Sequence, residues 1–68
     1  MSDDPRYTFD PLLRRQEVEH QTGLSRTSIY RMMAEGTFPR PRRIGRQAVA
    51  WPASAIEAWK ASRPFAGP

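Results

Sequence analysis

Residues 16–36 read QEVEHQTGLSRTSIYRMMAEG and contain two helix-forming segments separated by a short turn. The composition predicts a first helix from Gln16 to Thr22 and a second from about Arg26 to Glu35. Each segment is followed by a glycine, whose tolerance of positive φ suits a helix C-terminus. Ser25 precedes the second segment and is a strong N-cap residue. Two short helices joined by a tight turn that contains glycine are typical of a helix-turn-helix.

The second predicted helix has two distinct faces. At 100° per residue, Ile29, Met32 and Met33 share one flank, which can pack on a core together with Val18 of the first helix. Glu19 stands where such a motif usually carries a small residue, so we expect its side chain to lean outward. The other flank carries polar and aromatic side chains, namely Arg26, Thr27, Tyr30 and Arg31.

The sequence changes from helical to extended after the second helix. The prolines of residues 37–41, TFPRP, exclude a helix. Residues 42–51, RRIGRQAVAW, predict a strand, a turn that begins with a glycine and a second strand. Val49 and Trp51 would point to one face, with Ile44 as their cross-strand partner.

A last helix is predicted near the C-terminus. Pro52 suits the first helical position, and the helix would extend from Ala53 to about Ser62 with Ile56 and Trp59 as its buried stripe. The predicted fold class is therefore mostly α with a small β-hairpin, a winged helix-turn-helix in which the hairpin is the wing.

The chain divides into three parts at this level. We expect a flexible acidic arm over residues 1–11, the winged helix-turn-helix over residues 12–63 and a frayed tail over residues 64–68. Leu12 and Leu13 could form a short strand or lead into the first helix. At 68 residues, one small domain is the upper limit.

The charge distribution points to a polyanion as partner. The net charge is +4, and ten of the eleven basic residues are arginine, Lys60 being the exception. Between Arg26 and Arg46 lie six arginines and a single acid, Glu35. Since the guanidinium fork matches phosphates and guanine edges, nucleic acid is the first candidate.

Several functional classes do not fit this composition. The absence of cysteine excludes disulfides, thiolate zinc sites and cysteine nucleophiles. The single histidine, His20, has no partner ligands near it in the sequence, so we expect no metal and no cofactor. The chain offers no acid–base pair for an enzyme and no run of about 20 apolar residues for a membrane span. With an acidic start instead of a signal peptide, a cytoplasmic location is expected.

Five short segments occur in a characteristic order, namely LSRTSIYR at 24–31, FPRP at 38–41, RIGR at 43–46, AVAW at 48–51 and IEAW at 56–59. In this combination the sequence resembles the AlpA-type prophage regulators, small winged-helix relatives of the MerR DNA-binding domain and of phage excisionases. The resemblance covers about residues 12–63 and implies a DNA-binding phage or prophage regulator of bacterial origin. The arm at residues 1–11 and Glu19 depart from the family's pattern.

The predicted DNA contacts lie on the second helix and on the wing. Ser25 caps the helix, whose free amides suit a phosphate. Arg26 and Thr27 occupy the first turn, where a recognition helix enters the major groove, and Tyr30 and Arg31 lie one turn further on. A bidentate arginine–guanine contact contributes about 1–3 kcal/mol of discrimination.

The resemblance implies that the wing reaches the flanking minor groove or the backbone. Its basic residues are Arg42, Arg43 and Arg46. An arginine in a narrow minor groove meets a deeper negative potential. The alternatives are a solvated helix face, a tyrosine that packs on the core and a hairpin whose arginines only confer solubility.

Three functional hypotheses follow. The first is a sequence-specific double-stranded DNA-binding regulator of phage transcription. The second is an excisionase that bends DNA for an integrase, and it needs the same arginines. The third is an adaptor that binds an integrase or RNA polymerase. We expect a monomer in solution that assembles cooperatively on DNA, because one such domain buries only about 600–1,000 Å² on a duplex.

Overall fold

The computed structural model describes residues 9–67, and six elements follow one another along them. They are β1 (Leu12–Leu13), α1 (Arg15–Thr22), α2 (Arg26–Glu35), β2 (Arg42–Arg43), β3 (Val49–Pro52) and α3 (Ala53–Ala61). Three helices with a small antiparallel sheet confirm the predicted winged helix-turn-helix class.

The sheet has three strands in the order β1-β3-β2, with both neighbours antiparallel to β3. Leu13 pairs with Trp51, and Arg43 pairs with Val49. Of the two alternatives for the leucine pair, the strand is the one observed. The wing is therefore not an isolated hairpin, because β1 supports β3 from the other side.

Ile44 does not pair as predicted. Its N–H donates to the carbonyl of Ala48 at 2.9 Å, and its side chain is 44% exposed. Since successive strand residues point to opposite faces, a residue opposite Ala48 cannot share the face of Val49. The prediction that Ile44 faces Val49 and Trp51 was therefore wrong by one residue in the register of the two wing strands.

The core is assembled from all three helices, β3 and the loop before β2. Five side chains are buried in one cluster, namely Val18, Ile29, Phe38, Trp51 and Ile56. The half-buried residues packed on this cluster include both predicted methionines, Met32 and Met33, and Trp59. Phe38, which was not predicted to be in the core, contacts both tryptophan rings edge-on. The distance between ring centroids is 6.5 Å to Trp51 and 4.9 Å to Trp59.

The tryptophans also fix the loop that leads into the wing. Trp51 Nε1 donates to the carbonyl of Pro39 at 2.8 Å, and Trp59 Nε1 donates to the carbonyl of Thr37 at 2.9 Å. Both indole N–H groups thus satisfy carbonyls of a proline-containing loop, which has no β-ladder of its own to pair them.

The helix limits follow the predictions closely. α2 has the predicted bounds, and α1 begins one residue earlier, at Arg15. Pro52 ends β3 and precedes α3 instead of occupying its first position, and α3 ends at Ala61. The ψ of Pro52, 135°, is extended, so the residue still belongs to the strand.

The start of α3 is capped by a residue far away in the chain. Asp10 Oδ1 accepts from the N–H of Ser54 at 2.8 Å, and Asp10 Oδ2 accepts from the hydroxyl of Ser54 at 2.7 Å. The N–H of Ala53 donates to the carbonyl of Pro11 at 2.8 Å. Residues 1–8 of the predicted arm and residue 68 of the predicted tail lie outside the described residues.

We expect this cap to make stability depend on acid pH. The hydrogen bonds from Ser54, side chain and then backbone, together with the charge of Arg42, hold the pKa of Asp10 below its usual 3.8. The unfolded chain therefore binds a proton more readily, so the stabilisation is complete above the unfolded pKa and is lost as the pH falls through the folded pKa. Thermal melts between about pH 5 and pH 2 should show a steeper fall in Tm for the wild type than for Asp10→Asn.

Asp10→Asn is a matched variant because its amide keeps an acceptor oxygen for Ser54 but does not titrate. At neutral pH, Asp10→Ala should melt a few degrees below the wild type, since α3 loses its only side-chain cap among the described residues. Parallel pH profiles for the wild type and Asp10→Asn would contradict the capping role.

Candidate nucleic-acid interface

The turn between α1 and α2 is held by side-chain hydrogen bonds. Thr22 Oγ1 donates to the carbonyl of Val18 at 2.7 Å and accepts from the N–H of Leu24 at 3.2 Å. Gly23 has φ 75°, a left-handed conformation that side chains other than glycine rarely adopt. The direction in which α2 leaves α1 is therefore set within four residues.

Ser25 is the N-cap of α2, as predicted. Its Oγ accepts from the N–H of Ser28 at 3.2 Å, and its backbone is extended, with φ −80° and ψ 165°. This bond satisfies one of the free amides in the first turn and leaves others directed away from the helix. Gly36 ends α2 with φ 79°.

One face of α2 is buried and the other is open to solvent. Ile29 is completely buried, and Met32 and Met33 pack beside it. All the predicted contact residues of this segment are exposed, namely Ser25, Arg26, Thr27, Tyr30 and Arg31. The alternative of a core-packed tyrosine does not hold, since Tyr30 is 40% exposed.

The two arginines of this face have different neighbours. The guanidinium carbon of Arg26 lies 5.8 Å from the ring centroid of Tyr30, within the range of a cation–π contact. Arg31 Nε lies 3.9 Å from Glu35 Oε2 in an exposed i,i+4 pair, which contributes little energy. The face thus presents one guanidinium next to an aromatic ring and another next to a carboxylate.

The wing arginines do not form a single cluster. Arg42 and Arg43 are successive residues of β2, so their side chains leave opposite faces of the sheet. Arg42 lies opposite Ala50 and contributes to the low pKa of Asp10, whereas Arg43 lies opposite Val49. Arg46 lies in the turn between β2 and β3, and all three residues are exposed.

Besides Arg63, which follows α3, two exposed arginines among the described residues fall outside the predicted set. Arg14 precedes α1, and Arg40 lies in the loop before β2. The run of positive charge between Arg26 and Arg46 is the sequence signal for Arg40, while Arg14 lies outside that run. Neither has an ion pair within residues 9–67. They widen the cationic surface beyond the second helix and the wing.

Glu19 lies partly outward, as its size requires. Arg15 Nε donates to Glu19 Oε2 at 2.9 Å, and the two side chains are each about one third exposed. Arg15 is thus balanced by Glu19, and Glu17 adds a further negative charge to α1, so the excess of positive charge lies on α2 and the wing.

Other kinds of site find little support in the part of the chain that is described. Over residues 9–67 no three His, Asp or Glu side chains come together as metal ligands, and His20 is exposed. None of the helices there has the length and apolar character needed to cross a bilayer.

Comparison with known proteins gives two matches and one negative result. A family model described as "Prophage CP4-57 regulatory protein (AlpA)" matches residues 11–64. A protein of enterobacteria phage P4, called "Uncharacterized protein ORF88", is 42% identical over 59 residues, which are 87% of this chain and 67% of that protein. No solved structure matches.

Proposed function

Because the chain belongs to the AlpA family of prophage regulatory proteins, we propose that it is a sequence-specific regulator that binds double-stranded DNA and controls phage transcription. The family is regulatory and not enzymatic. In this proposal α2 enters the major groove, and the wing lies on the flanking groove or on the backbone.

The observation that carries the proposal is the solvent face of α2. The helix is anchored on the core by Ile29, while Arg26, Thr27 and Arg31 are exposed on its outer side. A helix used only for packing would have no reason to keep its long cationic side chains together and almost free of acids. A recognition helix needs both features, because it must enter a groove lined by phosphates.

The electrostatic part of binding is tested by a salt titration. The proposal has four candidate phosphate contacts, namely Arg31, Arg42, Arg43 and Arg46. They predict that the logarithm of the association constant falls linearly with the logarithm of the salt concentration, with a slope of about −3 to −4. Fluorescence anisotropy on a duplex selected from a randomised library, and on an unrelated duplex, measures this slope. Equal affinity for the two duplexes would contradict sequence specificity.

The contribution of the wing is tested at Arg46, in the turn. Arg46→Ala should weaken binding by a similar factor on every sequence and make the salt slope shallower by about 1. Lys60→Ala is the matched control, since it also removes one positive charge but lies on α3, where Lys60 pairs with Glu57. If both variants change the slope equally, only the net charge matters and the wing makes no contact.

An excisionase would use the same arginines, and its partner would be an integrase. A phased gel-shift assay separates the two functions, because an excisionase must bend its site and a simple transcriptional regulator need not. Binding without a change in DNA curvature would exclude the excisionase and support the transcriptional regulator. RNA polymerase is the partner that a transcriptional activator would contact.

The assembly state is a further part of the proposal. We expect a monomer in solution and cooperative binding at neighbouring sites, since one small domain provides limited contact area. Analytical ultracentrifugation with and without DNA measures both states. Since the proposed target is DNA of a phage or its bacterial host, the expected place of action is the bacterial cytoplasm, at the nucleoid.

A further inference from the structure

The N-terminal end of α2 holds a pair of side chains whose geometry distinguishes them from the rest of the cationic surface. Arg26 is the first residue of the helix, and Tyr30 follows four positions later, on the same face. Helical side chains lean towards the N-terminus, so the ring of Tyr30 lies over the turn from which Arg26 projects. The guanidinium carbon is 5.8 Å from the ring centroid.

We propose that Tyr30 is a positioning residue that orients the Arg26 guanidinium for a guanine base, so that this pair determines the specificity of the helix. The inference rests on the proposed function, because it assumes that α2 enters a DNA major groove. It goes further by separating two roles within one surface: Arg26 reads a base, and Tyr30 acts through Arg26.

The first argument concerns the donors that remain available. A guanidinium that lies against an aromatic ring uses its cationic surface for the contact and keeps its N–H groups free. Within residues 9–67 Arg26 has no ion pair and no side-chain hydrogen bond. Its five donors are therefore not consumed by an acceptor among the described residues.

The second argument concerns the acceptor that benefits from this orientation. A phosphate accepts hydrogen bonds from many directions and is contacted well by a mobile side chain. Guanine presents O6 and N7 on one planar edge in the major groove, and only an aligned guanidinium fork bonds to both. Fixing a long side chain in advance lowers the entropy cost of binding, and the gain is largest for such a directional contact.

Arg31 provides the contrast within the same helix. Its neighbour is the carboxylate of Glu35 at 3.9 Å, and its side chain is 61% exposed. No ring orients it, and a carboxylate competes with the DNA for its donors. These features suit a non-directional contact with a phosphate, so we assign affinity to Arg31 and base discrimination to Arg26.

The test begins with selection of duplexes from a randomised library by the full-length wild-type protein. The base position read by Arg26 is the one at which Arg26→Ala loses its preference, and we expect that base to be guanine. Competition binding then compares duplexes that differ only at this position for the wild type, Tyr30→Phe, Tyr30→Leu, Arg26→Ala and the double variant Arg26→Ala/Tyr30→Leu. Circular dichroism melts report the folding of each variant.

Tyr30→Leu should reduce the preference for guanine about 3- to 10-fold, while the slope against salt stays the same, because no phosphate contact is lost. Tyr30→Phe keeps the ring and should stay within about twofold of the wild type. In the Arg26→Ala background, Tyr30→Leu should have no further effect on base preference. Leucine forms helices at least as well as tyrosine, so α2 should remain folded.

Three results would overturn the inference. They are an equal loss on all sequences in Tyr30→Leu, an undiminished effect of Tyr30→Leu in the Arg26→Ala background, and a preferred base other than guanine at the Arg26 position. If the wild type enriches no sequence at all, the proposed function itself fails. If the wild type enriches a sequence but Tyr30→Leu leaves its base preferences unchanged, as an equal loss on all sequences would, only the positioning role fails.

Discussion

Replacing Arg26 and Arg31 together by glutamate should weaken binding to the selected duplex by at least about 10³-fold. Each arginine contact with a base or a phosphate contributes about 1–3 kcal/mol, and each new carboxylate would in addition face the phosphates of the DNA. Fluorescence anisotropy at one fixed salt concentration measures the loss. Binding to unrelated duplexes should fall as well, since one of the two residues is assigned to the backbone.

Loss of folding is not expected to cause this effect. Both side chains are exposed, and Arg26→Glu places an acid in the first turn of α2, where the helix dipole favours it. Arg31→Glu removes an exposed ion pair with Glu35 and puts two carboxylates at i,i+4, which costs a few tenths of a kcal/mol. A circular dichroism melt close to that of the wild type should confirm that the fold is kept.

The matched control changes the same number of charges on another surface. Lys60→Glu/Arg63→Glu also lowers the net charge by four units, but both positions lie at the C-terminal end of α3. Lys60 pairs with Glu57, and the guanidinium of Arg63 lies 4.8 Å from the ring centroid of Trp59. We expect the control to lose less than about tenfold in affinity, through weaker long-range attraction, and to keep its sequence preference.

An adaptor that binds only proteins predicts the opposite pattern. Its activity would survive the Arg26→Glu/Arg31→Glu exchange, or would depend equally on both double variants. Equal loss of DNA binding in the two double variants would show that net charge, and not the face of α2, attracts the DNA. That result would contradict the proposed recognition helix.

The local features of the fold could be predicted from the sequence because their signals are local. Ser25 and Gly36 determine the limits of α2, and the structure has the predicted bounds. The exposure of Arg31 on the side of α2 opposite Ile29 follows from a period of 3.6 residues. These features depend on neighbours within one or two helical turns, which the sequence displays directly.

The non-local features could not be predicted in the same way. Asp10 caps α3 across 44 positions of sequence, and Leu13 pairs with Trp51, which belongs to a strand far away in the chain. Phe38 lies in a proline-containing loop without periodicity, yet it is buried because the loop folds back between the two tryptophans. Ile44 was assigned to the wrong face because a strand pattern leaves the register open by one residue, and that shift reverses every side chain.

The candidate site shows the same division. All eight predicted contact residues are exposed, and helix periodicity accounts for this at Thr27 and Arg31, on the side of α2 away from Ile29. The 5.8 Å contact between the Arg26 guanidinium and the Tyr30 ring, and the pairing of Arg42 with Ala50 and of Arg43 with Val49, become visible only with the backbone in place. The pairing of Arg31 with Glu35 was available as an i,i+4 spacing, but its geometry was not.

Trp51→Ala should remove a large part of the domain's free energy of unfolding. Trp51 is completely buried in the central strand, its ring contacts Phe38, and its N–H bonds to the carbonyl of Pro39. Truncating a buried tryptophan costs about 3–5 kcal/mol. A chain of this length has a free energy of unfolding of about 3–10 kcal/mol, so the loss takes up between about a third and all of it. Urea titration followed by circular dichroism measures the difference.

Two variants separate packing from hydrogen bonding. Trp51→Phe keeps a ring in the core but leaves the carbonyl of Pro39 without its donor, and a loss of about 1–3 kcal/mol with a cooperative transition is expected. Trp59→Phe is the matched control, because Trp59 also donates to a loop carbonyl but is only half-buried. Its loss should be smaller, since water can replace the donor at Thr37.

The effect on DNA binding distinguishes Trp51 from the surface residues. β3 is the strand of the wing that joins it to α3, and Trp51 packs in one core cluster with Ile29 of α2, so the wing and α2 both depend on this tryptophan. Trp51→Ala should therefore lose affinity for all sequences in parallel with its loss of folded protein, whereas Tyr30→Leu should change only base preference. A Trp51→Ala protein that melts cooperatively near the wild-type temperature would contradict this prediction. It would mean that the core does not depend on Trp51 and that the wing is supported by its own hairpin alone.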